Sequence, residues 1–163
     1  MKKYKIIVLF LAILFLGCQS PKKNHDFIFF KWSLHECYYL KFNSTDTLYI
    51  INTFPIKQTS YTILNKEEKE KIQGTLDDIS FPKETEYVNS GTDDGVTYAF
   101  SLKNGKQLKK LTIHGDMGPD RFWLFGKSLE DIKNQNSFTR INKKFDLKSI
   151  DEMVIVPAIF IEK

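Results

Sequence analysis

The sequence predicts an α+β domain: a mostly antiparallel sheet with two helices packed on one face. Three observations carry that prediction. Several short segments alternate apolar and polar residues with the period of a half-buried strand. Two of them are joined by Asn104-Gly105, a strong hairpin signal. Two other segments place apolar residues at helical spacing. In order, the elements read ββ-α-ββ-α-β.

The first strands come from Phe27 to Leu34 (FIFFKWSL), dense in aromatic and bulky residues, and from the alternation of Tyr38, Leu40 and Phe42 with Tyr39, Lys41 and Asn43. Asn43 to Asp46 has turn chemistry, and Leu48 to Phe54 reads as the returning strand. Asn65 with Glu68 three residues later fits a helix N-cap and capping box. Ile72, Leu76 and Ile79 then form a buried stripe, opposite a solvated face of Glu67, Glu70, Lys71 and Asp78. Pro82 ends the segment.

In the second half, Val96, Tyr98, Phe100 and Leu102 alternate with smaller residues up to the Asn104-Gly105 turn. A type I′ turn there sets Lys103 against Lys106, Tyr98 against Leu111 and Val96 against Ile113. Pro119 suits a first helical position, where its missing N–H costs nothing. Phe122, Phe125, Leu129 and Ile132 give the second helix a wide apolar face, stopped by Asn134 to Ser137. The tail offers extended pieces around Phe138–Ile141 and Met153–Ile161, the latter placed at an edge or split by Pro157.

The first eighteen residues carry a separate signal. Lys2, Lys3 and Lys5 precede an unbroken apolar run of eleven residues from Ile6 to Leu16, closed by Gly17-Cys18. A bilayer span needs roughly 20 residues, so the run fits a cleaved leader better than a membrane helix. Phe15-Leu16-Gly17-Cys18 resembles the lipobox of bacterial lipoproteins, with Phe15 where that family usually has leucine. The resemblance implies cleavage between Gly17 and Cys18, diacylglycerol on the Cys18 thiol and three acyl chains on the mature protein. One chain binds a membrane reversibly, whereas two or more hold firmly. Gln19 rather than aspartate after the cysteine implies the outer membrane. The expected division is therefore a leader (1–17), a lipidated polar tether (18–25) and a single domain (26–163). With fourteen phenylalanines, seven tyrosines and two tryptophans in the chain, that domain can build a real core.

Processing also lowers the charge. The three leader lysines take the 24 basic residues to 21 against 20 acidic ones, a net charge of +1. A near-neutral domain with only two arginines, Arg121 and Arg140, lacks the footprint of a nucleic-acid binder. With Cys18 acylated, Cys37 is the single free thiol. It reads as a small buried hydrophobe, with an intermolecular disulfide or a reactive thiol as alternatives.

A second resemblance spans roughly residues 30–133 and lies in layout. Cys37-Tyr38-Tyr39, Thr92-Asp93, Lys103-Asn104-Gly105-Lys106 and Gly118-Pro119 are similar to pieces of a family of small bacterial lipoprotein domains of unknown function. That family often shows Cys-x-x-Cys-Pro where this chain has one cysteine. The resemblance implies the fold and no activity.

Two polar loops hold the candidate chemistry. His114 to Asp120 joins a strand end to a helix start, where backbone N–H groups favour an anion; His114 and Asp116 there could bind a metal or share a proton. Capping and tight-turn roles account for the same residues. Asn89 to Gly95 is rich in oxygen ligands but lacks EF-hand spacing. If both loops lie at one end of the sheet, Asp93, Asp94, His114 and Asp116 converge. His35 and Cys37 share a strand face but have no second ligand pair. Lys103, Lys106, Lys109 and Lys110 make a basic hairpin tip, suited to anionic headgroups or to protecting a sheet edge. No nucleophile elbow, HExxH, phosphate loop or dinucleotide fingerprint is present in the sequence.

The expected function is therefore a lipid-anchored, non-enzymatic domain without a cofactor or resident metal, binding an envelope protein or other envelope component. An inhibitor or immunity-type protein is the first alternative. A small metal-dependent hydrolase using Asp93, His114 and Asp116 is the second.

Overall fold

A computed structural model describes residues 24–89, 91 and 95–153. At its centre runs strand β1 (Asp26–Trp32), followed outward by β2 (Cys37–Phe42), β3 (Thr47–Phe54) and β4 (Gln58–Ile63). On the other side of β1 lie β6 (Thr97–Asn104), β7 (Gln107–His114) and the short β5 (Glu86–Val88). The two-residue β8 (Thr139–Arg140) borders β4. The order across the sheet is β5-β7-β6-β1-β2-β3-β4-β8, and only β5 and β7 pair in parallel. The helices are α1 (Lys66–Asp78), α2 (Asp120–Gln135) and the single-turn α3 (Lys148–Asp151).

The α+β class, the mostly antiparallel sheet and the placement of the two long helices on one face agree with the sequence. Phe27, Phe29, Tyr38, Leu40 and Phe100 meet Ile72 and Leu76 of α1 and Phe122, Phe125, Leu129 and Ile132 of α2 in one core. Rings interlock across this layer: Phe27–Phe125 at 5.5 Å, Phe100–Phe122 at 5.1 Å and Phe29–Phe100 at 5.4 Å between centroids. Each such side chain contributes about 1.5–3 kcal/mol on burial. The capping box also forms as read, with Asn65 Oδ1 accepting from Glu68 N and Asn65 N donating to Glu68 Oε2, both at 2.9 Å.

The element order differs from ββ-α-ββ-α-β. Four strands precede α1, β5 precedes the hairpin, and α3 follows β8. Strand β4 (QTSYTI) escapes a hydrophobicity reading because its inward residues are small hydroxyls. Ser60 and Thr62 are buried opposite Ile50 and Leu48, while Tyr61 pairs with Tyr49 on the other face. Ile79 is the α1 C-cap rather than a helical residue, though it still packs against the core. Pro119 is likewise the N-cap of α2, not its first turn. Of the tail, β8 covers part of Phe138–Ile141, and residues beyond Met153, Pro157 included, lie outside the described residues.

The β6–β7 turn is displaced by one residue. Asn104 pairs with Gln107, so Gly105-Lys106 form the loop and Tyr98, not Val96, faces Ile113. Of the two loop residues only Gly105 has a positive φ, +59°, which is the pattern of a type II′ turn with glycine first. Because each partner moves by two positions, every side chain keeps the face that its alternation predicts.

The second face is also covered. Ile28, Phe30, Trp32, Tyr39 and Ala99 enclose Ile150 of α3, which is fully buried. Tyr39 OH donates to Asp151 Oδ1 at 2.7 Å and Ser101 bonds Ser149 at 3.2 Å, fixing that turn onto the strands. The segment 141–147 crosses this face from the β8 edge, beginning with Ile141 N donating to Thr59 O at 3.0 Å.

Two helical glycines give opposite expectations. A Cβ at Gly126 of α2 would stand 2.5 Å from the Tyr98 ring, whereas one at Gly74 of α1 meets nothing within 4 Å. Gly126→Ala should lose about 1–3 kcal/mol to overpacking, more than the helix propensity it gains. Gly74→Ala should gain about 0.5–1 kcal/mol. Urea unfolding of the two variants beside the parent reads both signs.

Candidate functional site

Strand β7 ends in His114, and the turn to α2 is built around backbone that favours glycine. Gly115, Asp116 and Gly118 have φ of +60°, +62° and +97°. A Cβ at Gly118 would lie 2.6 Å from Ile113 Cγ2, so close helix–strand packing requires glycine there. Met117 N donates to His114 O at 3.3 Å, and Trp123 Nε1 donates to Met117 O at 2.9 Å, tying α2 back onto the turn.

His114 itself is buried, with Nδ1 at 2.8 Å from Thr97 Oγ1. Gly95 lies against the ring edge, where a Cβ would be 3.0 Å from Cε1. Asp116 sits exposed on the turn. The pair therefore divides between the interior and the surface. Asp93 and Asp94, the other two members of the expected cluster, lie outside the described residues. Among the described residues, no group of three or more His, Cys, Asp or Glu side chains is arranged to hold a metal ion. What the arrangement does is close the β7–α2 connection.

A polar cluster that the sequence reading missed lies between β1, the β1–β2 turn and α2. Lys31 Nζ donates to Glu36 Oε1 at 2.7 Å and to Glu130 Oε2 at 2.6 Å, while Lys133 Nζ donates to Glu36 Oε2 at 2.8 Å. Tyr98 OH donates to the second oxygen of Glu130. The Lys133 ammonium also stands 4.5 Å from the centre of the Tyr38 ring. Lys31 is only 8% exposed, so its charge depends on these carboxylates. The signal was a lysine inside the aromatic run Phe27–Trp32, which a buried strand accepts only with a partner.

The electrostatics follow from the geometry. Burial pulls the Lys31 pKa down, but the hydrogen bonds to Glu130 and Glu36 outweigh it and leave the ammonium above its ordinary value. Burial would raise Glu36, yet the Lys133 and Lys31 ammoniums hold it below the usual carboxylate range. The Tyr38 hydroxyl has no partner among the described residues, and burial raises its pKa strongly. Such a cluster fixes α2 on the sheet.

Cys37 opens β2, half-buried, and burial raises its thiol against a weaker lowering by Thr53. A raised thiol holds less thiolate, which suits the reading as a small packing residue better than a nucleophile. Gly17 and Cys18 lie outside the described residues.

Where the chain joins the fold is well defined. His25 N donates to Ser44 Oγ at 2.9 Å, and His25 Nε2 is 2.9 Å from Asp77 Oδ1 of α1. The next residue, Asp26, faces Lys103 across the β1–β6 pair and accepts from Lys41 at 2.6 Å. The basic hairpin tip, with Lys103, Lys106 and Lys109 exposed, therefore shares the end of the sheet at which His25 and Asp26 enter β1. Lys110 is set apart, half-buried and 3.9 Å from Glu152.

The Lys31 cluster carries a prediction. Lys31→Met leaves Glu130 short of a cation and should cost about 2–3 kcal/mol, less than a fully buried pair because Lys133 still serves Glu36. Tyr38→Phe removes a hydroxyl without a partner and should gain up to about 1 kcal/mol. Glu36 is lowered in the fold, so its contribution is complete above its unfolded value of 4.5 and is lost as pH falls below it. Lys31 is raised, so its contribution is complete below 10.5 and is lost as pH climbs past that value. Denaturant midpoints across pH should show both slopes in the parent, with the acid slope flattened in Glu36→Gln.

Compared with protein-family models, curated proteins and solved structures, the chain matches none of them.

Proposed function

We propose that this chain is a bacterial envelope lipoprotein whose folded part works as a binding module rather than an enzyme, held to the outer membrane through acylated Cys18. The observation that carries the reading is the leader itself: three lysines, eleven apolar residues and Gly17-Cys18. The place where the chain joins the sheet agrees with it. His25 is the seventh residue after Cys18, and an extended chain covers at most about 3.3–3.6 Å per residue. The His25 end of the sheet is thereby held within about 25 Å of the acylated surface.

Support for a binding role comes from how the reactive residue types are used. His114 is bonded to Thr97, and Lys31, Glu36, Glu130 and Lys133 satisfy one another. The partner in this reading is an envelope component, protein or otherwise, and nucleic acid is disfavoured by the near-neutral charge.

Growth with labelled palmitate should place the label on the parent and leave Cys18→Ser unlabelled, with the variant shifted out of the membrane fraction. Label on the variant, or an unlabelled parent recovered from the soluble periplasm, would remove the anchor. Cross-linking in intact envelopes should then capture a specific partner through the membrane-distal end.

A further inference from the structure

Beyond the anchor, the surface of the described residues holds a concavity lined by cations and by no carboxylate. It is a cleft of about 710 Å3 between the far half of the β3–β4 hairpin and the segment that follows β8. Lys57 contributes from the β3–β4 turn, and Arg140, Lys143 and Lys144 contribute from the edge strand and the crossing segment. No Asp or Glu is among the described residues that line it.

Six of the other fourteen cations among the described residues are ion-paired. Lys31, Lys41, Lys66, Lys69, Lys110 and Lys133 each lie within ion-pair distance of a carboxylate. Among the described residues, Lys57, Arg140, Lys143 and Lys144 have no such partner. Lys143 is nevertheless held in place: its Nζ lies 4.5 Å from the Tyr49 ring centre and 5.0 Å from that of Phe145, and donates to Tyr49 OH at 3.3 Å. Arg140 is positioned by the pairing of β8 with Ser60. Unpaired like charges around one cleft concentrate a positive field there, and a bound anion relieves their repulsion.

Edge protection accounts for charged residues on an exposed strand, and β8 is an edge. It does not account for cations gathered from two separate segments around a concavity. The rest of the lining narrows the ligand. Asn52, Gln58 and Thr59 add polar groups, the Gln58 amide already donating to Ser60 Oγ at 2.9 Å, and Ile51 with Ile141 adds apolar surface. The volume falls within the range of about 300–1,000 Å3 typical of small-molecule sites. Four cations are more than one oxyanion needs. Lysine suits phosphate as a point charge, and arginine as a fork.

We propose that this cleft binds a phosphorylated saccharide carrying more than one phosphate, with Lys57, Arg140, Lys143 and Lys144 taking the phosphates and the amide and hydroxyl side chains taking the ring hydroxyls. This rests on reading the domain as a binding module. The cleft lies in the half of the sheet away from His25, the end at which the described chain enters the sheet. The same chemistry occurs free in solution and in the head group of a phosphorylated glycolipid.

The test uses the full chain, purified from membranes in neutral detergent and shown to carry palmitate. Fructose bisphosphate should bind saturably at one site, about tenfold or more tighter than inorganic phosphate, and unphosphorylated fructose should not bind. The Lys57→Glu/Lys144→Glu double variant, at two exposed positions, should weaken binding about 100-fold while melting at the parent temperature. Should that variant unfold, Lys144→Gln with the salt dependence of binding replaces it, and a tenfold loss is expected. A parallel titration with vesicles carrying a bis-phosphorylated glycolipid identifies the source; tighter binding to either ligand supports the site. Equal affinity for inorganic phosphate overturns the saccharide assignment. Absence of saturable binding, or a double variant that binds like the parent, overturns the cleft. Either failure in a chain that still carries its palmitate leaves the anchored-module reading standing.

Discussion

The fold depends on the burial of β1 from both sides. Every residue from Phe27 to Trp32 is buried, including Lys31, so this strand has no face to give to solvent. A strand in that position must sit in the middle of its sheet, and here β6 and β2 flank it, followed by three further strands on the β2 side and two on the β6 side. It also needs a layer of structure on each face. The aromatic rings of α2 fill one, and Ile150 with Leu147 and the strand residues around them fills the other. The crossing segment 141–147 exists on that second face because Phe30, Trp32 and Tyr39 need cover there.

Covering both faces has a consequence at the single charged position in the run. Lys31 points toward α2, where an unpaired ammonium would be costly, and the fold answers with Glu36 from the adjoining turn and Glu130 from the helix. The cluster ties three elements together at the end of the sheet away from His25. Desolvation works against each charge in it, and the hydrogen bonds decide the outcome. Tyr98 belongs to both worlds: its ring packs against Gly126 and Phe29 while its hydroxyl meets Glu130. A larger residue at position 126 would therefore disturb the aromatic core and the polar cluster together.

The two ends of the sheet have different characters. At one, His25 is bonded to Ser44 and Asp77, beside the lysine-rich β6–β7 tip. Toward the other, the β3–β4 turn and the segment after β8 bring together cations without carboxylate partners. The proposed anchor joins the first of these ends, and the proposed ligand site lies toward the second. The β7–α2 junction, the most suggestive segment by residue type, makes a tight connection.

The sequence by itself determined whatever rests on local periodicity and local chemistry. The capping box at Asn65 and Glu68, the buried face of α2 and the inward sets of β2 and β6 all follow from contacts within one element or one hairpin. Even the misplaced β6–β7 turn preserved those sets, because a shift of two partners does not invert a strand. Tertiary structure decided what depends on neighbours distant in the chain. Strand β4 is a strand because β3 and β8 pair with its hydroxyl-rich residues, and the unbroken aromatic run of β1 is central because two layers cover it. The Lys31 cluster joins residues up to 99 positions apart. The cationic cleft joins Lys57 to Lys144, and only folding makes neighbours of them. Hydrophobic alternation is a local property that can be read along a chain, whereas a charge's partner, or its lack of one, is settled by which segments the sheet brings together.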